Sequence, residues 1–180
     1  MKNIVKNVIL ILIITFKVVV LSQESKSLES NKFQFNESGI NDYVIKNIDN
    51  KTKEEIYLKS INWIKESYKN PELVLKIQIP NEKLRIDAIA KNLANVGNKN
   101  NRVFLDIVYS IEISFKDNKY KFEILSIVVS NIKDLKIQNF KSDQAIKYWG
   151  TTSNDIEIYF NSLNQSLEKY ILKTKNEEKW

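Results

Sequence analysis

Residues 108–127, VYSIEISFKDNKYKFEILSI, decide the fold of this chain of 180 residues. Apolar and polar residues alternate along the first half of the segment, and they alternate again after the polar tetrad KDNK at 116–119. Two alternating runs around a short polar turn predict a β-hairpin. Since only one face of each strand is apolar, the segment predicts an antiparallel sheet that is covered on one side.

The alternation continues outward from this hairpin in both directions. The second strand extends to about Val129, and the first extends back to Val103. The apolar face of the first strand consists of Val103, Leu105, Ile107, Tyr109, Ile111, Ile113 and Phe115. Two further alternating runs, residues 73–79 and 84–90, come before it, and the polar residues 92–101 are expected to form a loop. The chain therefore predicts four consecutive antiparallel strands.

A short strand and a helix precede these four strands. Residues 42–48 alternate like a strand. Thr52 and Glu55 then have the spacing of a capping box, which starts a helix. The expected core-facing stripe of this helix consists of Tyr57, Ile61, Ile64 and Tyr68. The dipeptide Asn70-Pro71 ends the helix, because a residue before proline avoids helical backbone angles.

A second helix follows the sheet. The polar tetrad TTSN at residues 151–154 is a helix start signal. The apolar stripe of this helix consists of Ile156, Tyr159, Phe160, Leu163, Leu167, Tyr170 and Ile171. Residues 131–150, between the sheet and this helix, have no clear period and are interpreted as an irregular cover.

The predicted fold is α+β, in the order strand, helix, four antiparallel strands, helix. Both helices are expected to pack on one face of the sheet, because nothing else in the chain can cover its apolar side. We expect a single domain over residues 42–174. A flexible polar leader at 23–41 precedes it, and a charged tail at 175–180 follows it.

The first 22 residues have the pattern of a secretory signal peptide. Two lysines precede an apolar core at residues 8–16, and Val20 and Ser22 occupy the recognition positions for cleavage after Ser22. The alternative is an uncleaved membrane anchor, which Lys17 disfavours because a charge deep in such a helix costs a few kcal/mol. Cleavage would give an exported chain, either periplasmic or secreted. The chain would contact the membrane only if the signal were retained.

The composition excludes several kinds of chemistry. The chain has no cysteine and no histidine, which removes disulfides and the commonest metal ligand, and three glycines are too few for a glycine-rich phosphate loop. We therefore expect no catalytic centre, no metal and no cofactor. Loss of the first 22 residues removes three lysines and lowers the formal net charge from +6 to +3. Since only Arg85 and Arg102 are arginines, we expect no nucleic-acid partner.

Two stretches of the chain resemble a known family. YVIKNIDNKTKEEIYLKSINWIKE at 43–66 and VYSIEISFKDNKYKFEILSI at 108–127 are similar to the exported Bacteroidetes domain of unknown function 4468, which has a TBP-like (TATA-binding-protein-like) fold. The matching features are the K-x-E-I-Y helix opening, with Trp63 near mid-helix, and the Y-x-I-x-I-x-F-K-D-N-K-Y-K-F-x-I hairpin. The resemblance covers residues 42–129 and the final helix, and it implies an exported α+β domain without assigned catalytic residues.

The chain departs from this family in the second of the four strands. The segment IDAIAKNL at residues 86–93 stands where the family has a glycine-containing segment. The departure affects the expected register of that strand and leaves the expected fold unchanged.

The uncovered face of the predicted sheet is the candidate binding surface. Its polar positions expected to contact a partner are Lys76, Arg85, Asp87, Ser110, Glu112, Lys121 and Glu123. Mixed charges suit a protein-binding face, and an unpaired sheet edge could also accept a partner strand. The sequence thus favours an exported, non-catalytic binding or accessory module of the cell envelope, whose partner is an envelope protein or a surface polymer.

Two alternatives stay open. A glycan-binding module would use exposed aromatic rings as platforms, and Trp149, beside Gly150 in the irregular segment, is the candidate ring. A small envelope hydrolase would need two carboxylates acting on one bond. Asp106 and Glu112 lie about 20 Å apart along one strand and cannot act together.

Overall fold

The computed structural model describes residues 31–36, 39–98, 100–130 and 149–173. Its strands are β1 (Phe35–Asn36), β2 (Gly39–Ile40), β3 (Tyr43–Asn47), β4 (Leu75–Ile79), β5 (Lys83–Asn98), β6 (Asn101–Lys116) and β7 (Lys119–Val129). Its helices are α1 (Lys53–Ser67), α2 (Pro71–Val74) and α3 (Thr152–Leu172). The predicted signal peptide, the tail at 175–180 and all but the last two residues of the irregular segment lie outside the described residues.

The strands from β3 to β7 form one antiparallel sheet in the order β3-β7-β6-β5-β4, and β1 and β2 form a separate small hairpin. The predicted order of strand, helix, four antiparallel strands and helix is therefore confirmed. Strand β6 lies at the centre and pairs with β5 on one side and β7 on the other. Both of its partners are shifted by an irregularity, β5 between Ala90 and Ala94 and β7 opposite the step from Ser110 to Ile111.

The predicted turn between β6 and β7 also positions α1. Asn118 adopts a left-handed backbone angle, φ 62°, which closes the hairpin. The Asp117 carboxylate accepts the backbone N–H of Lys53 at 2.9 Å, at the first residue of α1. The backbone N–H of Asn118 donates to the carbonyl of Lys51 at 2.8 Å. The hairpin that the sequence specifies most clearly thus fixes where the helix layer begins.

The predicted capping box of α1 is present. The backbone N–H of Glu55 donates to the Thr52 hydroxyl at 3.2 Å, and the backbone N–H of Thr52 donates to the Glu55 carboxylate at 2.9 Å. The Thr52 N–H is the main cause that lowers the pKa of Glu55 below its ordinary value. The two bonds satisfy N–H groups that have no partner inside the helix.

Helices α1 and α3 pack against each other and against the same side of the sheet. The apolar residues that they bury are Ile56, Tyr57, Trp63 and Ile64 of α1 and Ile156, Phe160, Leu167 and Ile171 of α3. The buried stripe of α1 is rotated slightly from the predicted one, since Ile61 and Tyr68 are only partly buried. The sheet contributes residues such as Leu84, Ile111 and Phe122, which are fully buried.

Polar side chains link the two layers inside this core. The Trp63 indole N–H donates to the Ser166 hydroxyl at 3.1 Å. The hydroxyls of Tyr68, Tyr109 and Tyr159 form a chain, with O–O distances of 3.1 and 3.0 Å. Burial raises the pKa of all three phenols, so they stay protonated and can both donate and accept in this chain.

The expected flexible leader is wrong for its described part, residues 31–36 and 39–41. Phe33 is 1% exposed, and its ring meets Phe122 and Phe160 edge-on at centroid distances of 5.7 and 6.1 Å. The amide of Asn161 pairs with both the backbone N–H and the carbonyl of Phe33, each at 2.8 Å. Two phenylalanines in a polar stretch thus bring the segment into the core, because their burial outweighs the cost of ordering it.

The expected polar loop at residues 92–101 is also wrong for residues 92–98 and for Asn101, which lie in strands. Strand β5 continues to Asn98, which pairs with Asn101 at the start of β6. The asparagines fit a strand here because Asn92 takes a left-handed angle at the irregularity, φ 55°, and its N–H donates to the Asp106 carboxylate at 2.9 Å. Farther along, the Thr152 hydroxyl accepts the backbone N–H of Asn95 at 2.8 Å and donates to its carbonyl at 2.9 Å. These two bonds satisfy backbone groups of β5.

We expect Phe33→Ala to lower the free energy of unfolding by about 3 kcal/mol, because it leaves a cavity between the sheet and α3. Urea denaturation of the chain without its first 22 residues measures the change. The matched control is Phe104→Ala, since Phe104 is largely exposed and its truncation should change stability by less than about 0.5 kcal/mol. Equal effects of the two substitutions would contradict the docking of the N-terminal segment.

Candidate functional site

The sheet face opposite α1 and α3 is called the open face. Its central polar side chains form three rows across β5, β6 and β7, because strand pairing sets them opposite each other. The rows are Lys83–Ser114–Lys121, Arg85–Glu112–Glu123 and Asp87–Ser110–Ser126. Neighbouring strands are about 4.8 Å apart, so each row is a continuous strip of polar groups.

Six of the seven predicted surface residues lie in these rows. They are Arg85, Asp87, Ser110, Glu112, Lys121 and Glu123. Sequence periodicity placed them on one face, and the strand register now brings them beside one another. The structure therefore shows that these six residues form one continuous surface, whereas the sequence predicts only that they share a face.

Lys76 does not join the rows, and its predicted position was wrong. It lies at a β-bulge between Leu75 and Ile77, which shifts the alternation of β4 by one residue. After the bulge, Ile77 pairs with Arg85 and lies on the open face. Gln78 instead lies on the helix side, where its amide donates to the Tyr57 hydroxyl at 2.9 Å.

Arg85, Asp87 and Ser110 form a hydrogen-bonded triangle at the centre of the open face. The Arg85 Nε–H donates to the Ser110 hydroxyl at 3.1 Å and approaches the Asp87 carboxylate at 3.3 Å. The Ser110 hydroxyl donates to the same carboxylate oxygen at 2.6 Å. The triangle holds the guanidinium and the carboxylate in defined positions on the surface.

Glu112 and Glu123 are directly opposite each other on β6 and β7, a pairing that depends on the strand register and is therefore not visible in the sequence. Like charges at such positions repel. Each carboxylate contacts its own lysine, Glu112 with Lys83 at 3.3 Å and Glu123 with Lys121. The face is thus alternately charged, and both carboxylates are engaged in ion pairs on an exposed surface.

A further row on the open face is apolar. Ile89, Val108 and Val128 are directly opposite one another, and their exposed fractions are 54%, 40% and 39%. We call these three residues the apolar row. It lies next to the row that contains Asp87 and Ser110. The sequence contains a signal for this row, because Ile89, Val108 and Val128 are apolar residues at positions where the alternation predicts polar ones.

Trp149 is not the exposed aromatic that the glycan-binding alternative required. Its side chain is 9% exposed and belongs to the hydrophobic core, so that prediction was wrong. Burial of its large apolar ring against the core gains more than exposure to water would. Among the residues that the structure describes, the aromatic rings with substantial exposure are Tyr43, which has the Lys121 ammonium 5.7 Å from its centroid, and Phe104.

Asp106 and Lys91 form an ion pair beyond the apolar row, with a nitrogen–oxygen distance of 2.7 Å. The hydrogen bond from the Lys91 ammonium lowers the pKa of the Asp106 carboxyl below its ordinary value, and the N–H of Asn92 adds to this effect. The Asp106 carboxyl therefore keeps its negative charge to a lower pH than an aspartate without these partners.

Among the residues that the structure describes, no group of three or more His, Cys, Asp or Glu side chains is placed to hold a metal ion. In the same ranges, none of the helices combines the length and the apolar character needed to cross a bilayer.

Residues 43–130 match the model of a family described as a domain of unknown function (DUF4468) with TBP-like fold. The fold is similar to the crystal structure of a TBP-like protein from Parabacteroides distasonis ATCC 8503, with a TM-score of 0.52 and 17% identity, covering 74% of this chain and 92% of that one. It is also similar to a DUF4468 family protein from Bacteroides ovatus ATCC 8483, with a TM-score of 0.58 and 9% identity, covering 76% and 88%. At these identities the likeness establishes the fold alone. No curated protein matches the chain.

We expect Lys91→Met to raise the pKa of Asp106 toward its ordinary value, because the substitution removes the ammonium that stabilises the carboxylate. A carboxyl with a depressed folded-state pKa stabilises the fold above its unfolded-state pKa, and the stabilisation disappears as the pH falls through the folded-state value. The Asp106 side-chain carbon, followed by NMR between about pH 2 and 6, reports the change. Titration of Asp106 at the same pH in both proteins would show that the ion pair does not form.

Proposed function

We propose that this chain, which belongs over residues 43–130 to the DUF4468 family of TBP-like domains, is an exported, non-catalytic binding module of the cell envelope. Its open face binds another envelope protein. The single observation that supports this proposal most strongly is the apolar row beside the charged rows on a face that neither α1 nor α3 covers.

The apolar row is unfavourable in the free protein. Three adjacent aliphatic side chains, each between 39% and 54% exposed, order water that a partner would release. Ile77 and Ile79 add apolar surface at the β4 edge of the same face. Charged groups next to an apolar patch fix the orientation of a protein partner more than they add affinity.

The charges of the open face favour a protein over a nucleic acid. Asp87, Glu112 and Glu123 lie among its basic residues, and their carboxylates would face the phosphates of a nucleic acid. Phosphate binding depends on uninterrupted positive charge, because it gains affinity by counterion release. Arg85 is the one arginine in the three polar rows, and it is already bonded to Asp87 and Ser110.

Export is supported by the N-terminal sequence. Cleavage after Ser22 would remove the apolar core of the signal and leave every residue that the structure describes, since these begin at Asn31. Secretion of the full-length chain should yield a product whose N-terminal sequence begins QESKS, read by Edman degradation. A product that keeps Met1 and stays with the membrane fraction would support the anchor alternative instead.

We expect one envelope protein to co-purify with the chain that begins at Gln23, in a pull-down from solubilised envelope followed by mass spectrometry. The double substitution Ile89→Ser and Val108→Ser should weaken its capture at least tenfold, because each side chain would lose about 1–2 kcal/mol of burial. Reversing the charges of Arg85 and Lys121 to glutamate should also abolish capture.

The matched control is Leu58→Ser, which removes an equally exposed aliphatic side chain from α1 on the other side of the molecule. Thermal unfolding establishes that each variant is folded. A partner that binds the open-face variants as well as it binds the parent chain would refute the proposed surface. Association of the chain with itself, seen by analytical ultracentrifugation and lost in the same variants, would replace the foreign partner with a second copy.

A further inference from the structure

A polar groove lies on the other side of the sheet, between α3, the N-terminal segment and β3. Its volume is about 450 Å³, which is within the range of small-molecule sites. Much of its lining consists of side chains that can hydrogen-bond: Gln34, Lys46, Ser162, Asn164, Gln165 and Glu168. Residues from three distant parts of the sequence therefore surround one cavity.

Asn164 is the informative residue of this groove. It is 2% exposed, and its Oδ1 accepts the hydroxyl of Tyr120 at 2.8 Å. Burial raises the pKa of the Tyr120 phenol, so this hydroxyl keeps its proton and donates it to Asn164. The donated proton determines which end of the amide is oxygen, and the Nδ2 of Asn164 therefore points away from Tyr120.

The Nδ2 of Asn164 has no hydrogen-bond partner among the described residues. Yet no fully buried side-chain nitrogen or oxygen in that part of the chain lacks a partner. The Nδ2 group is therefore accessible to solvent, and the groove is the open space that Asn164 lines. Water bonds this donor in the free protein, and a ligand that accepts a hydrogen bond can replace that water.

Four charged side chains line the groove, Lys32 and Lys46 against Glu157 and Glu168, so their formal charges balance. Lys46 and Glu168 form an ion pair at 3.2 Å on the groove wall, with both side chains about a quarter exposed. An anion would be repelled by Glu168 and a cation by Lys46. The groove thus fits an uncharged ligand that both donates and accepts hydrogen bonds, as the amides of Gln34 and Gln165 do.

We propose that this groove binds a neutral saccharide, with the Nδ2 of Asn164 donating to a sugar hydroxyl or ring oxygen. Gln165 and Ser162, which are exposed on the same turn of α3, bond neighbouring hydroxyls. This site shares no residue with the open face, and it uses amides rather than the aromatic platform expected at Trp149.

NMR titration of the 15N-labelled chain from Gln23 tests the site. The probes are maltotriose, cellotriose and chitotriose, each added to about 10 mM, which detects binding free energies of only a few kcal/mol. We expect at least one trisaccharide to shift the side-chain amide signals of Asn164 and Gln165 in a saturable way. No shift with any of the three trisaccharides would overturn the proposal.

Two substitutions separate the groove from other surfaces. Asn164→Asp keeps the acceptor for Tyr120 and replaces the donor, and Gln165→Ala removes an exposed amide with little risk to the fold. Each should weaken binding about three- to tenfold, the effect of one lost hydrogen bond. The control is Asn154→Ala, an exposed amide in the first turn of α3 outside the groove. Unchanged binding in Gln165→Ala, or an equal loss in Asn154→Ala, would refute the site even if Asn164→Asp fails to fold.

Discussion

The pairing register of β6 is the constraint on which the rest of the structure depends. This strand of 16 residues runs between β5 and β7 and has no bulge of its own, so each of its side chains has a fixed face. A slip of one residue would send Ile111 and Ile113 to water and Glu112 into the core. The irregularities are confined to the neighbours, which bend around β6 while its alternation stays intact.

The helix layer follows from the same strand pair. The β6–β7 turn bonds to the start of α1 through Asp117, and the core face of β6 and β7 receives both α1 and α3. Polar contacts such as Trp63 with Ser166 then select one alignment of the helices, because apolar packing alone is satisfied by several. One side of the sheet is thereby filled, and its exposed polar and aliphatic groups are concentrated on the other.

The sequence predicts whatever regular alternation determines and misses whatever breaks it. The hairpin at 116–119 and the capping box at Thr52 and Glu55 are local patterns, and both are confirmed. The bulge in β4 leaves no mark on composition, so Lys76 was assigned to the wrong position. Phe33 docks through contacts with residues almost 130 positions away, which no local period can indicate. The polar groove is equally invisible in the sequence, because it joins three distant segments.

The two candidate surfaces are separated by the sheet, and β7 shows how. Tyr120 points to the helix side and bonds Asn164, whereas the next residue, Lys121, lies on the open face beside Glu123. Side chains on opposite faces of a strand share no partners, so substitutions on one face should leave the other nearly unaffected. Loss of saccharide binding and loss of protein capture can therefore be assigned independently. The two proposed ligands, a saccharide in the groove and an envelope protein on the open face, would therefore lie on opposite sides of the sheet and would not compete.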